Sequence, residues 1–480
     1  MTLTKLASAV AISSLLVACG SGSSNNSSAI DIDNVQKVLN TNADIAFAAY
    51  TDSLETAKDL KTALTTFKDT PNAANLTAAK AAWLVSREPY GQTEVYRFRN
   101  SPIDSTDYSS EDGPEGDINA WPLGEALIDY VETNATDFTA EQVGVTANSA
   151  GVTGTVDGSD QTNNIIGDTT ITINPALLAN TASADDEHDV IAGYHAIEFM
   201  LWGQDLNTSN QSTTDGTNRA SAVNTTSAGG QRPISDFVYI DNNNKTDQTD
   251  PAVRRHTFLE VAVDKLIADL EQVLDGWEDG VDGNYRDQFT TIANENDAKQ
   301  KLTEILTGMG TLSEGELAGE RMQIALVNNS QEDEHSCFSD NTHRDIWLNA
   351  EGVSNSFYGD YAGYDSTLNG ADNVTTNAVS GYGIDDYLQD AGLESLSAEV
   401  ATALNTTKVN YTAIDTSARA GSPFDVLIQT LDENGDVAKT ITSLNSQANL
   451  INDIAEELGL DDVVDPEASD CDTSNATSGC

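Results

Sequence analysis

Basic residues are scarce in this sequence. Lysine and arginine together number 23, against 77 aspartate and glutamate residues, and the formal net charge is −54. A field of this sign repels nucleic acid and anionic lipid and concentrates cations, so we expect no nucleic-acid partner. The charge excess alone does not identify a specific metal site.

Several motifs of known chemistry are also missing. The sequence has no H-E-x-x-H helix, which gives ordinary zinc peptidases two ligands and a general base, and no G-x-S-x-G for a serine nucleophile. No glycine-rich phosphate loop supports nucleotide use. Only four cysteines occur, none of them in a C-x-x-C pair, which excludes a zinc ribbon or a thioredoxin-type site.

The N-terminal apolar run is too short to span a bilayer as a mature helix. We interpret residues 1–18 as a secretion signal. The following L-V-A-C sequence matches the bacterial lipobox, in which the lipid is attached to the cysteine, here Cys19. The alternative is a plain signal peptide with an incidental cysteine. Because Gly20 rather than an aspartate comes next, we expect an outer-membrane lipoprotein of the bacterial cell envelope that faces the periplasm or the exterior.

The two ends of the mature chain are polar. Residues 19–32 are rich in serine and asparagine, which predicts a flexible tether between the lipid and the folded part. Residues 466–480 form a polar tail. Cys471 and Cys480 lie nine residues apart in it and can close a small disulfide loop in an oxidising compartment, with two reduced thiols as the alternative.

Apolar residues recur at helical spacing along most of the chain, whereas strand patterns are few and short. The predicted helices cover residues 33–67, 76–98, 119–131, 185–206, 251–277, 296–329, 385–404 and 444–458. We therefore expect an all-α protein of two antiparallel helical bundles, at residues 33–250 and 251–465, with long decorated loops. A hairpin is predicted near residues 169–174, and segment 207–231 is interpreted as a lid or as a spacer.

The stretch G-Y-H-A-I-E-F-M-L-W-G at residues 193–203 is the main candidate for a functional site. His195 and Glu198 are three residues apart, so on a helix their side chains share one face and can hold a single cation. Their neighbours are nearly all apolar, and a buried glutamate in such a helix requires a partner. The alternative is a histidine and a glutamate that only hydrogen-bond each other.

Two protein ligands rarely complete the coordination shell of a metal ion, so a third is expected. Glu94 is our first candidate, because its predicted helix would pack beside the one that carries His195. Glu94 shares a face of that predicted helix with Arg87 and Tyr90. One imidazole with carboxylates favours ferrous or ferric iron, or manganese, over a structural zinc, although zinc stays an alternative.

A second polar segment, Q-E-D-E-H-S-C-F-S-D-N-T-H, occupies residues 331–343. Its candidate pocket residues are His335, Ser336, Ser339, Asp340 and Asn341. His335 and His343 are eight residues apart, which is about 12 Å along a helix, so they are not expected to share one ion. The alternative is a charged helix start followed by a solvated turn.

These stretches resemble one protein family. Residues 193–203 are similar to the G-x-H-x-x-E signature of the imelysin family, and residues 87–98, 113–123 and 331–343 resemble its iron-regulated protein A branch. The resemblance implies an all-helical, two-bundle extracytoplasmic protein that binds iron or an iron-bearing ligand and works with an uptake partner. Some relatives are described as metallopeptidases, so a metal-dependent peptidase is one alternative. A non-catalytic scaffold that docks an uptake partner is the other.

We also predict that the two marked segments meet. The helix of His195 and Glu198 is otherwise apolar, whereas residues 331–343 are polar, so each supplies what the other lacks. Glu94 and residues 336–341 should therefore lie in one pocket with His195 and Glu198, where the bundles join. The predicted wall of this pocket contains Trp202, Tyr90 and Arg87. The alternative places the second segment on an outer face.

Overall fold

The computed structural model of the protein describes residues 30–121, 123–131, 164–179, 190–205, 229–230, 232–331, 333–461, 463 and 471–480. The predicted signal sequence, Cys19 and most of the predicted tether lie outside these ranges, as does most of segment 207–231. The predictions made for them stay predictions. Within the described ranges, no helix combines the length and the apolar character that crossing a bilayer requires.

The described chain is largely helical, as the apolar periodicity predicted. Its α-helices are α1 (Ile32–Asp69), α2 (Ala73–Gly91), α3 (Glu115–Ile118), α4 (Glu125–Ile128), α5 (Pro175–Leu178), α6 (Gly193–Trp202), α7 (Pro251–Trp277), α8 (Tyr285–Thr290), α9 (Glu295–Thr311), α10 (Ile324–Asn328), α11 (Thr342–Tyr358), α12 (Ile384–Asp390), α13 (Glu394–Arg419), α14 (Phe424–Leu427) and α15 (Asp436–Leu458). Short 3₁₀ turns span Glu94–Tyr96 and Ile234–Phe237, and a π-helix, Leu312–Gln323, joins α9 to α10. The strands β1 (Asp360–Tyr361) and β2 (Val379–Ser380) pair antiparallel.

The first bundle is built around α1, α2, α6 and α7. The side chain of Asp31 caps α1 by accepting a hydrogen bond from the backbone N–H of Asn34, and Asp250 caps α7 in the same way. The apolar face of α7 packs on α1 and α6. The bundle boundary that we predicted at residue 251 is therefore corrected, because the polar stretch before α7 is a loop within the first bundle.

The second bundle consists of the π-helix, α11, α13 and α15, which enclose a separate apolar core. Since α9 runs directly into the π-helix, one helical rod contributes to both bundles. Gly308 in this rod meets the chain after α2, where a Cβ atom would lie 2.3 Å from the carbonyl oxygen of Val95. The glycine is needed for this close approach.

The polar C-terminal tail is part of the second bundle. Cys471 and Cys480 are joined by a disulfide bond, so this predicted pair is present in the structure. The closed loop packs on the π-helix through Gln323, whose Nε2 donates to the backbone carbonyl oxygens of Asp472 and Asn475 at 3.2 and 3.3 Å. The fully buried side chain of Gln323 thereby donates to two backbone carbonyl groups of the loop.

The helix predicted over residues 76–98 is shorter in the structure. α2 ends at Gly91, two residues after Pro89, and a Cβ atom at Gly91 would lie 2.6 Å from Cβ of Leu348 in α11. The chain leaves the helix at this close contact and continues in the 3₁₀ turn that begins at Glu94. Glu94 therefore does not share one helical face with the side chains of α2.

Two other local predictions are wrong. Residues 119–131 form no continuous helix, because a bridge between Leu123 and Val190 ties this segment to the residues before α6 and leaves α4 as a single turn. Residues 169–174 form no hairpin. Arg254 of α7 instead donates to four backbone carbonyl oxygens around this loop, those of Ile165, Ile166, Asp168 and Ile171. In both places a tertiary contact overrides the local pattern.

Candidate functional site

Two glycines define the helix that carries the candidate site. α6 begins at Gly193, whose φ is +81°, and a Cβ atom there would lie 2.4 Å from the carbonyl oxygen of Ile118. Gly203, with φ of +68°, follows the last residue of α6. Both positions favour glycine because an L side chain is strained in this conformation. Between them, His195 and Glu198 are fully buried.

Both carboxylate oxygens of Glu198 are occupied. Its Oε2 lies 2.9 Å from Nδ1 of His195, and its Oε1 accepts from the backbone N–H and from Oγ of Ser339, at 2.9 and 2.7 Å. Burial raises the pKa of Glu198 to about 8, although the hydrogen bonds from Ser339 oppose the shift. The contact with Ser339 brings the two marked segments together, as the sequence predicted.

The second ring nitrogen of His195 is in an unusual position. Its Nε2 is buried and has no hydrogen-bond partner among the described residues. The ring contacts Trp121 and His335, with centroids 5.1 and 4.7 Å apart. Burial lowers the pKa of His195, and the neighbouring His335 lowers it further, so the imidazole is neutral. A buried nitrogen without a partner costs about 1–3 kcal/mol, and a ligand or an ordered water would satisfy it.

His335 is held on both sides. Its Nδ1 lies 3.0 Å from Oδ2 of Asp345, and its Nε2 lies 3.3 Å from the amide nitrogen of Asn119. Asp345 also accepts from Oγ of Ser336 at 2.5 Å and from Arg87 at 3.0 Å. Burial lowers the pKa of His335 to about 4. The pKa of Asp345 lies far below its usual range, because Arg87 and these hydrogen bonds outweigh the effect of burial.

Glu94 lies in the same network but is bound by arginines. Its carboxylate accepts from Arg321 at 2.9 Å, from Arg97 at 3.3 Å and from the amide of Asn119 at 3.2 Å. Burial raises its pKa, but the two guanidinium groups outweigh burial and hold the pKa at about 2. Asn119 therefore connects Glu94 to His335, and the oxygens of Glu94 already have three donors.

The aromatic wall differs from the prediction. Trp202 lies at the far end of α6, two turns from His195, and the indole that contacts the His195 ring belongs to Trp121. Tyr90 lies behind Arg87, whose guanidinium carbon is 5.4 Å from the centre of its ring. Tyr90 thus supports the network instead of lining it.

Asp340 and Asn341 have surroundings of their own. Asp340 accepts a hydrogen bond from the backbone N–H of Gly229 at 2.8 Å. Its carboxylate lies with those of Asp205 and Asp425 in a buried group whose oxygens are within 4.8 Å of one another. Asn341 is the residue before α11. Acidic groups alone do not identify a bound ion.

Two ion pairs fix α2 against α11. Arg87 of α2 donates to Asp345 of α11 at 3.0 Å, and the next residue of α2, Glu88, accepts from Arg344 at 2.7 Å. Each helix thus has a basic and an acidic residue side by side, and each of them pairs with the opposite charge on the other helix. All four side chains are buried, so the pairs set the relative position of the helices that carry the network.

A cavity of about 370 Å³ reaches this network from one side. His335, Asn119 and Trp121 belong to its lining. His195 is not part of the lining, but two of these side chains, His335 and Trp121, contact its ring. The cavity therefore ends one side chain away from the buried Nε2 of His195.

Sequence reasoning missed three contributors to the site, namely Asn119, Trp121 and Arg321. Asn119 and Trp121 fall within residues 113–123, a segment singled out only by its resemblance. These two residues therefore had a signal nearby. Arg321 lies within the helical rod and had none.

Comparison with known proteins agrees with this architecture. A family model described as imelysin matches residues 46–451. Iron-regulated protein A from Synechococcus elongatus is 40% identical over 67 residues, which are 14% of this chain and only 17% of that protein.

Two crystal structures share the fold at low identity. A protein named as an iron-regulated protein A precursor, from Parabacteroides distasonis, is 14% identical with a TM-score of 0.53, over 89% of this chain and 96% of that one. An imelysin-like protein from Psychrobacter arcticum is 13% identical with a TM-score of 0.53, over 90% and 97% of the two chains. Since the family model covers most of the sequence, the chain belongs to the imelysin family.

Proposed function

We propose that the protein binds an iron ion through Nε2 of His195 and takes part in iron uptake at the cell envelope. The observation that supports this proposal is the fully buried Nε2 atom, which has no hydrogen-bond partner among the described residues. A neutral imidazole nitrogen is a common metal ligand. The names of the similar proteins motivate the choice of iron, with manganese and zinc as the alternatives.

Glu198 acts in this proposal as the carboxylate that orients the histidine. When it accepts the Nδ1–H of His195, the lone pair of the imidazole is left on Nε2. Ser339 in turn donates two hydrogen bonds to the other carboxylate oxygen of Glu198. Such a carboxylate–histidine pair fixes the tautomer and the orientation of a metal ligand. The sequence prediction of direct coordination by Glu198 is thereby refined to a positioning role.

The donor set is compatible with a partly hydrated ion. His335 lies beside His195 and is a second neutral imidazole, with ring centroids 4.7 Å apart. The carboxylates of Glu94 and Asp345 are bound by arginines, so we assign them to the support of the network. The imidazole of His195 would then bind the ion, because both ring nitrogens of His335 are hydrogen-bonded, and water would complete its shell.

We further propose that Cys19 carries a lipid that anchors the protein in the outer membrane, and that an uptake component receives the ion from it. The sequence supports this proposal through the lipobox and the polar tether after it. The metallopeptidase alternative requires a general base near the ligand nitrogen. No observation favours it, because Glu198 and Glu94 are each engaged by two or more donors.

Calorimetric titration with Fe²⁺ under anaerobic conditions, and with Mn²⁺ and Zn²⁺, tests the proposal. We expect the parent to bind one ion, His195→Ala to lose this binding, and Glu198→Gln to weaken it about 10- to 100-fold. His256→Ala is the matched control, since this histidine is also buried but bonds the backbone of Phe237. Equal binding by the parent and His195→Ala would refute the proposal, because nonspecific uptake by the acidic surface survives both substitutions.

A further inference from the structure

The cavity beside His335 contains more carboxylates than guanidinium groups. Its basic residues are Arg97 and Arg321, and its acidic residues are Glu115, Glu316, Glu320 and Asp333. Two positive charges against four negative charges leave a formal charge of −2 on the lining. Glu94 lies directly behind both arginines, within 3.3 Å of each, and adds a further negative charge.

The two arginines of the cavity are already paired. Arg97 lies 3.5 Å from Glu115 and 3.6 Å from Glu316, and Arg321 lies 3.2 Å from Glu316. An anionic ligand would therefore have to displace a carboxylate from a guanidinium group before it could bind there. A cation meets no such competition, since the surplus charge of the cavity has the opposite sign.

A neighbouring cleft has an excess of charge of the same sign. This larger cleft, of about 700 Å³, shares Arg97 and Glu115 with the cavity. This cleft adds three acidic residues and one arginine, namely Asp104, Glu111, Asp112 and Arg99. An excess of one sign of charge along a path concentrates ions of the other sign and speeds their association. The excess of carboxylates thus covers both the cleft and the cavity that reaches His335.

The size of the inner cavity suits a hydrated ion. One water molecule takes about 30 Å³ of liquid volume, so an ion with six waters needs roughly 200 Å³. The cavity of about 370 Å³ accommodates it with room to spare. At the inner end, His335 and Trp121 contact both the cavity and the ring of His195. Movement of these two side chains would connect the cavity to Nε2.

We infer that the site takes its metal as a free hydrated divalent cation that passes through this acidic cavity, and not as an anionic iron chelate. This inference rests on the proposed function and specifies its substrate class. The probes are Fe²⁺ without oxygen and Mn²⁺ as free cations, and ferric citrate as an anionic chelate.

The test compares two double variants that change the net charge equally. Glu320→Gln with Asp333→Asn neutralises two carboxylates of the cavity, and Glu394→Gln with Asp453→Asn neutralises two exposed carboxylates on α13 and α15, outside its lining. For a divalent ion about 8 Å from one charge in water, Coulomb's law gives roughly a five-fold effect per charge. We expect Mn²⁺ to associate roughly 20-fold more slowly with the cavity variant at low salt, and at the parent rate with the control.

Stopped-flow association rates and calorimetry with each probe give the decisive outcomes. The inference predicts that the difference in Mn²⁺ association rate between the parent and the cavity variant becomes smaller at high salt. It also predicts that ferric citrate binds no better to the parent than to His195→Ala. It is overturned if both double variants behave alike, or if ferric citrate binds in a His195-dependent way and the free cations do not. The first result would leave the proposed function intact. If His195→Ala matches the parent with every free cation, the proposed function itself fails.

Discussion

Replacing Glu94 by glutamine should destabilise the protein by about 3 kcal/mol at neutral pH. The pKa of this carboxyl group falls from its ordinary value of 4.5 to about 2 in the folded protein, where Arg321 and Arg97 bind it. A difference of 2.5 pKa units corresponds to about 3 kcal/mol of preferential stabilisation of the charged form. The loss of one partner from a buried ion pair gives a similar figure, about 3–5 kcal/mol.

The pH dependence of this effect has a definite sign. Between about pH 4.5 and pH 2 the unfolded chain binds a proton at residue 94 that the folded protein does not, so stability falls as the pH is lowered through this range. The contribution is complete above about pH 4.5. Glu94→Gln cannot titrate, and the difference between parent and variant should therefore shrink as the pH approaches 3.

Urea unfolding at a series of pH values from about 7 to about 3 measures the difference. Glu271→Gln is the matched control, because Glu271 pairs with Lys58 at the surface and its side chain is 51% exposed. Exposed pairs contribute about 0–1 kcal/mol. The reasoning is refuted if Glu94→Gln costs no more than this control at neutral pH, or if its cost is the same at pH 7 and at the acid end.

Three further predictions concern the same framework. Because burial raises the pKa of Glu198 to about 8, the metal-free parent should become less stable as the pH rises from about 4.5 to about 8. Urea unfolding of Glu198→Gln should not show this pH dependence. Glu88→Arg or Arg344→Glu alone should each cost about 3–5 kcal/mol, whereas the double exchange should recover part of the loss in the same assay. Gly308→Ala should lower the melting temperature, since its Cβ would lie 2.3 Å from a carbonyl oxygen, but Gly116→Ala, with nothing within 4 Å, should not.

Most of the long helices were predictable because their apolar residues repeat with the period of the α-helix, but α11 was not predicted and α13 runs to Arg419, past the predicted end at residue 404. α7 begins and ends where the pattern does, at Pro251 and Trp277. The short elements were not predictable, because contacts remote in sequence determine them. α2 stops where Gly91 meets Leu348, and the segment after Trp121 bridges to Val190, so neither end is visible in the local sequence.

The candidate site was predictable in part for a similar reason. The apolar helix of His195 and the polar segment of Ser339 complement each other, and their contact was expected on those grounds alone. The distribution of hydrogen bonds was not. Ser339 lies 141 residues away in sequence and donates two hydrogen bonds to Oε1 of Glu198, one from its backbone N–H and one from its hydroxyl group. The spacing of His195 and Glu198 alone had suggested that this oxygen was available to a cation. Sequence spacing places side chains on a face but does not show which of their atoms are already bonded.

In the proposed function, the charges around the two imidazoles give the histidine and the glutamate of one helical turn complementary roles. Arg87 is paired with Asp345 and Arg321 with Glu94, so these ion pairs add no net charge beside His195. A cation on the imidazole therefore adds a charge that the pairs do not offset. The carboxyl group of Glu198, hydrogen-bonded to the same ring, is placed to offset it by releasing a proton, because metal binding favours the deprotonated form of such groups. In the proposed function, one helical turn would thus carry both the ligand nitrogen and the group that balances the charge of the ion.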